Sequence, residues 1–281
     1  MEIDRTNILN TNYSLSKEFL LTNTNGAYFR TSILGCNTRR SDGLLVVHKN
    51  NHDFVLLSSI DEKIIQNGCE YNLAIHKYTG KLNTEGLVYL SEVETNPIPK
   101  ATYCMGPITF TKELILLSND DTFLIRYRLK DTDTSIKLII NPLLAMRRVM
   151  DLNLADYQKK PEIYNYHRSI VVHSNYGVPD LYIQSSATFT FSRTSYWHYN
   201  IEYENDLKSG LKSNEDLYMP GNMEFSIEPE KPLVISASIN DLSTDTLLNL
   251  FDDNYNLRQL KFQLKELRKK RAKQRKFYSL S

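Results

Sequence analysis

Glu202, Glu204, Asp206, Glu215 and Asp216 crowd one short stretch of the chain, and a pair of carboxyl groups is what glycoside hydrolysis uses as acid and as base or nucleophile. On a strand Glu202 and Glu204 share a face, but spacing alone does not place them in a cleft, and a solvated acidic stretch is the plainer reading. Just upstream, Tyr196-Trp197-His198-Tyr199 sets the only tryptophan among tyrosines and a histidine. Exposed, such rings stack on the C–H faces of sugars; buried, the same tryptophan is packing, and composition supports both equally. Two arginine pairs stand in apolar surroundings, Arg39-Arg40 after Asn37-Thr38 and Arg147-Arg148 after Asn141-Pro142. Strand neighbours point to opposite faces, so at most one of each pair reaches a common site, and ion pairing is its plainer role.

Other chemistries find no residues. The six histidines do not cluster, and His48 and His52, four apart at an expected strand end, do not converge, so no metal site is expected. The scattered glycines write neither a phosphate-cradling loop nor a dinucleotide fingerprint, and no Gly-x-Ser-x-Gly elbow is present, so no cofactor is expected. Cys36, Cys69 and Cys104 form an odd, dispersed set without Cys-x-x-Cys. Three buried free thiols in a reducing compartment are the expectation.

The elements that must position these residues read as β. Phe123, Ile125, Tyr127 and Leu129 alternate with Arg126 and Arg128, the period of a strand with one buried face. The same alternation runs through Phe110–Leu116, Ala187–Phe191, Phe225–Ile227 and Leu233–Ile239. Turn residues punctuate it, and Asn67-Gly68 between Ile64-Ile65 and Tyr71-x-Leu73 is the best two-residue hairpin. No long helical pattern separates the strands, which favours an antiparallel sandwich over a parallel sheet. Helical periodicity is confined to the end, where Leu247, Leu248, Leu250 and Phe251 cluster and Leu257, Leu260, Leu264 and Leu267 form a stripe.

The 281 residues, 41% apolar and 24% charged, suit one large domain or two small ones. The apolar runs are too short to span a bilayer, and no signal peptide is written, so a soluble cytoplasmic protein without a membrane partner is expected. Net charge is +1, yet residues 257–276 hold ten Lys or Arg against one acid, a net +9, and the remainder sums to −8. That acidic body opposes a polyanion, so no nucleic-acid partner is expected.

Glu18-Phe19-Leu20-Leu21-Thr22-Asn23-Thr24-Asn25-Gly26-Ala27-Tyr28, followed by Gly35-Cys36-Asn37-Thr38-Arg39-Arg40-Ser41-Asp42-Gly43-Leu44-Leu45, resembles the opening signature of the bacterial and archaeal glycogen debranching enzymes. Pro142-Leu143-Leu144-Ala145-Met146-Arg147 resembles the family's Pro-Leu-Leu-x-x-Arg segment, and Trp197–Glu204 with Gly210-Leu211, Glu215-Asp216-Leu217 and Pro220-Gly221 resembles its closing signature. The resemblance runs from about residue 14 to about residue 240. Phe19 stands where the family has Trp, Thr24-Asn25 where it has Gly-x, Ser41-Asp42 where it has Tyr-His, and Ser209 where it has Arg.

The resemblance implies an all-β fold, an antiparallel β-supersandwich over residues 1–240, with a helical linker over 241–281 leading toward an (α/α)6 barrel outside these residues. In that family the barrel holds the catalytic acid and base, so no catalytic residue is expected here. The function implied is that of the non-catalytic N-terminal domain of an amylo-α-1,6-glucosidase, its partners an α-glucan (glycogen or limit dextrin) and the barrel of the same protein. The candidate substrate-binding residues are Asn37, Arg39, Arg40, Arg147, Trp197 and Tyr199, with Trp197 and the Asn37–Arg40 segment close in space. The leucine stripe should pack on the sandwich or the barrel. A free-standing carbohydrate-binding or structural module is the alternative.

Overall fold

A computed structural model describes residues 2–158, 160–174 and 177–278, with side chains described as far as Lys269. Among them the strands form two sheets, all pairings antiparallel, as the alternation predicts. The nine-stranded sheet runs from Glu2–Ile3 through Leu90–Glu94, Lys100–Met105, Ile108–Leu116, Thr122–Lys130 and Leu233–Ser238 to the edge strand Glu162–Tyr166. The twelve-stranded sheet is built on two long strands, His52–Gln66 and Ile136–Arg148, which pair with each other. Tyr196–Glu202 and Asn214–Met219 lie beyond them.

Asn67 and Gly68 both take positive φ, 51° and 79°, and the ladder closes at Gln66 and Cys69. This is the two-residue turn that an Asn-Gly pair favours. The Ala187–Phe191 expectation shrinks to a strand at Thr190–Ser192, because only that part finds a partner in Asn222–Ile227. Three short helices escape the sequence pattern: Arg5–Leu9, Thr11–Ser16 and Glu204–Lys208. The first two are capped by side chains, Asp4 accepting from Asn7 N and Asn10 from Tyr13 N.

The main core lies between the sheets and takes the expected face of Thr122–Lys130, Phe123, Ile125, Tyr127 and Leu129. The other face of that strand is covered too. Leu124 packs with Leu247 and Phe251 of the C-terminal helix, Leu247–Tyr278, and Arg126 is buried with its guanidinium 4.2 Å from the Phe251 ring. Arg126 tolerates this because Glu113 and Asp252 pair with it at 2.6 and 2.5 Å. A third cluster, Val46, Val55, Leu143, Ala145, Ile201, Tyr203, Leu217 and Met219, fills the outer face of the twelve-stranded sheet.

The leucine stripe does not pack on the sandwich: Leu257, Leu260, Leu264 and Leu267 are 44–53% exposed. Cys36 is buried as expected, but Cys69 and Cys104 are exposed, since they sit at a turn and on the outer side of a strand. No described helix is long and apolar enough to cross a membrane.

Candidate functional site

Strand Ile136–Arg148 loses its regular register near its end, where Leu144 pairs with Leu57 and Arg147 with Val55. Met146 takes φ 46° within this irregularity. Such a bulge re-aims side chains, and Arg147 is 4% exposed while Arg148 faces solvent. The Arg147 guanidinium forks onto the Glu215 carboxylate, with Nη2 donating to Oε2 at 2.6 Å and Nε to Oε1. Nη2 also donates to Arg40 O at 2.9 Å, and Tyr203 Oη donates to Glu215 Oε2 at 2.5 Å. Burial pushes the Tyr203 phenol well up, and Glu215 adds to it. For Arg147 burial acts downward, but the Glu215 charge and hydrogen bonds outweigh it and hold the guanidinium protonated.

The Asn37–Gly43 segment is a bend rather than a strand, and Asp42 builds it. Fully buried, its Oδ2 accepts from Thr38 N at 2.8 Å and Arg39 N at 2.9 Å, and its Oδ1 from Arg30 Nε at 2.5 Å. A Cβ on Gly43 would lie 2.9 Å from Val55 Cγ1 and 3.0 Å from Leu57 O, so the neighbouring strand demands a glycine there. Arg39 pairs with Glu18 at 3.2 Å and the Arg40 N–H donates to Asp206 at 2.7 Å. Asn37 is buried, its amide donating to Ser58 O and Oγ, both at 3.1 Å. Of the candidate residues, Arg40 and Arg147 are thus brought into contact, Asn37 and Arg39 serve the bend, and ion pairing accounts for Arg39, Arg40 and Arg147.

The acidic stretch is not solvated, nor do Glu202 and Glu204 share a strand face. The strand ends at Glu202, and Glu204 opens a helix. Glu202, Asp206, Glu215 and Asp216 are buried, because distant partners reach them. Lys77 Nζ lies 3.6 Å from Glu202, and Asp216 accepts from Asn200 N at 2.8 Å and Ala155 N at 2.9 Å.

Arg147 also borders a cleft of about 670 Å³, whose lining includes Arg148, Asp151, Leu154, Asp156, Trp197 and Tyr218. Trp197 is its floor rather than an exposed platform: it is 6% exposed and packs on Tyr218 with ring centroids 5.2 Å apart. Tyr199, by contrast, is exposed, its hydroxyl 2.6 Å from that of Tyr157, which follows the cleft residue Asp156. The cleft has the volume of a small-molecule site and mixes apolar and charged walls.

Sequence reasoning saw Tyr196 and His198 only as ring-bearing residues and missed the polar group they join. His76 Nε2 lies 2.6 Å from Asp61 Oδ1, its ring 5.9 Å from that of His198, and His198 Nε2 is 2.9 Å from Tyr196 Oη. Folding brings together residues far apart in the chain, which no local spacing signals. Among the described residues no group of three or more metal-ligating side chains gathers.

Residues 17–234 match the family model described as glycogen debranching enzyme N terminal. The chain belongs to that family. The match covers the bend, the bulged strand, the cleft and the strands Tyr196–Glu202 and Asn214–Met219, and it ends within strand Leu233–Ser238, short of the C-terminal helix. No curated protein matches the chain. Solved structures similar to it include a bacterial glucoamylase complexed with acarbose (11% identity, 89% of this chain and 35% of that one, TM-score 0.42). A 4-alpha-glucanotransferase from Thermococcus litoralis (13%, 72% and 29%, 0.35) and a mutant heparan sulfate lyase HepC from Pedobacter heparinus (10%, 82% and 36%, 0.41) are also similar. The chain spans about a third of the length of these structures.

Proposed function

We propose that this chain is the non-catalytic N-terminal domain of an amylo-α-1,6-glucosidase acting in cytoplasmic glycogen breakdown. In this reading it supports a catalytic barrel of the same protein and helps hold the α-glucan, and it engages neither nucleic acid nor membrane. The family match carries the reading. The state of the buried carboxylates supports its non-catalytic part: Asp42, Glu62, Glu113, Asp121, Glu202, Asp206, Glu215 and Asp216 each have a hydrogen-bond or ion-pair partner within the chain. Ion pairs and hydrogen bonds within the fold account for these carboxyls without a catalytic role.

The cleft floored by Trp197 and Tyr218 is the proposed seat of the glucan. Arg148 and Asp151 offer hydrogen bonds to sugar hydroxyls, and the exposed Tyr199 offers a ring for stacking. Arg40, Arg147, Asn37 and Arg39 contribute by fixing the bend and the bulge beneath it. Incubating the chain with a limit dextrin and assaying glucose tests the reading, together with retardation of the chain in glycogen-containing gels. No glucose and measurable retardation are expected; glucose release abolished by Glu202→Gln or Glu215→Gln overturns it.

A further inference from the structure

We propose that Tyr157 and Tyr199 form a two-ring clamp for a linear α-glucan chain at the rim of the cleft. The inference rests on the glucan reading of that cleft and assigns contacts within it.

One buried carboxylate ties together the two segments that carry the rings. Asp216 Oδ2 accepts from Ala155 N at 2.9 Å, two residues before Tyr157, and its Oδ1 accepts from Asn200 N at 2.8 Å, the residue after Tyr199. Asp216 N in turn donates to Asn153 O at 2.9 Å. Asn200 takes φ 61° inside the register shift between His198 and Ile201, a left-handed conformation that Asn tolerates better than most residues. The backbone on both sides of the rim is therefore fixed before any ligand arrives.

The outcome is a pair of open rings. The two hydroxyls lie 2.6 Å apart although the residues are 42 apart in the chain. Tyr157 is 63% and Tyr199 47% exposed, so neither ring covers the other. Rings already held in place lose little freedom on binding. Lys160 Nζ stands over one face of Tyr157, 4.6 Å from the ring centroid, which leaves the other face for a ligand.

Chemistry and position choose that ligand. A phenol ring is a neutral, largely apolar surface suited to the C–H face of a pyranose, and its hydroxyl both donates and accepts. Asp156, the neighbour of Tyr157, lines the cleft, and Trp197, two positions before Tyr199, floors it. A sugar chain seated in the cleft and continuing over this rim meets both rings. One pyranose covers one ring, so the clamp favours a chain over a disaccharide.

The test is a calorimetric titration of the 281-residue chain with maltose and with maltoheptaose. The unaltered chain should bind maltoheptaose the more tightly. Tyr157→Ala should weaken maltoheptaose about three- to tenfold, the worth of one ring contact, and leave the unfolding midpoint in place. Tyr157→Phe keeps the ring and should weaken it less. Maltoheptaose bound no better than maltose, or equally well by the unaltered chain and by Tyr157→Ala, overturns the clamp and leaves the glucan reading standing. Absence of binding to either sugar overturns both.

Discussion

Across the space between the sheets, the Tyr127 phenol donates to Glu62 Oε1 at 2.7 Å, and both side chains are buried. Glu62 belongs to the twelve-stranded sheet and Tyr127 to the nine-stranded one, so the bond ties the layers together through their apolar core. Lys112 Nζ, 2.6 Å from the same oxygen, supplies the charge that makes a buried carboxylate tolerable.

Removing one member of that triad should cost according to what it strands. Tyr127→Phe leaves the ion pair and should lose about 1–3 kcal/mol, the cost of an unmet buried acceptor. Glu62→Leu strands the Lys112 ammonium and should lose about 3–5 kcal/mol. Urea unfolding measures both, and equal losses for the two variants would contradict the arrangement.

The Arg147–Glu215 pair makes a parallel prediction near the cleft. Arg147→Met should destabilise by about 3–5 kcal/mol because Glu215 and Tyr203 lose their buried counterpart. Arg147→Met with Glu215→Leu should recover part of that loss, and the coupling is read from a double-mutant cycle. Additive losses would mean that the pair is not energetically joined.

Stability should vary with pH through His76 and Asp61. Burial pushes His76 down, but the Asp61 charge and hydrogen bond outweigh it, leaving the imidazole above its ordinary 6.5. Burial pushes Asp61 up, but His76 outweighs it and leaves the carboxyl below its ordinary 3.8. The His76 contribution is therefore full below 6.5 and lost as pH rises through its folded value, and the Asp61 contribution is full above 3.8 and lost as pH falls through its own. His198, lowered by burial and then by His76, acts oppositely and costs stability below 6.5. His76→Gln should remove the decline above pH 6.5 and His198→Gln the penalty below it; unfolding profiles unchanged by either substitution would refute the assignment.

Trp197 and Tyr199 should separate packing from binding. Trp197→Ala empties a core position and should cost about 3–5 kcal/mol of stability. Tyr199→Ala should leave the unfolding midpoint in place while weakening glycogen retardation several-fold, as expected for about 0.5–1.5 kcal/mol of ring contact. Retardation unaffected by Tyr199→Ala would remove that ring from the glucan site.

The C-terminal helix should not be uniformly stable. Leu247 and Phe251 are fully buried, whereas the four stripe leucines stay about half exposed, and a helix with no covered face is marginal in water. Amides at 260–269 should exchange faster than those at 247–255. Equal protection in dilute solution would show that something covers the stripe.

The strands were legible because alternation is a local property: Phe123, Ile125, Tyr127 and Leu129 lie on the core face that their spacing predicts. What failed to read was anything decided by distant partners. Arg126 looked like a solvent-facing residue until the C-terminal helix covered it, and Glu215 looked solvated until Arg147 reached it. The bend at Asn37–Gly43 was visible as a motif, but its physical basis, Asp42 accepting from Thr38 and Arg39, emerges only from the geometry. His198 was visible only as part of an aromatic stretch, and its meeting with Asp61 and His76 gave no signal, since a cluster assembled from separate strands leaves no spacing to recognise.

Strand Leu233–Ser238 sits between Thr122–Lys130 and Leu181–Ser185, and among the described residues it alone joins the two halves of the nine-stranded sheet. On the ribosome, the first half therefore waits with an unpaired edge while the next hundred or so residues are made. Closure of the sheet is deferred until residues 233–238 emerge, and the hairpins formed earlier must stay in register without their final neighbour. A nascent chain of this kind has good reason to be shielded by a chaperone until its penultimate element arrives.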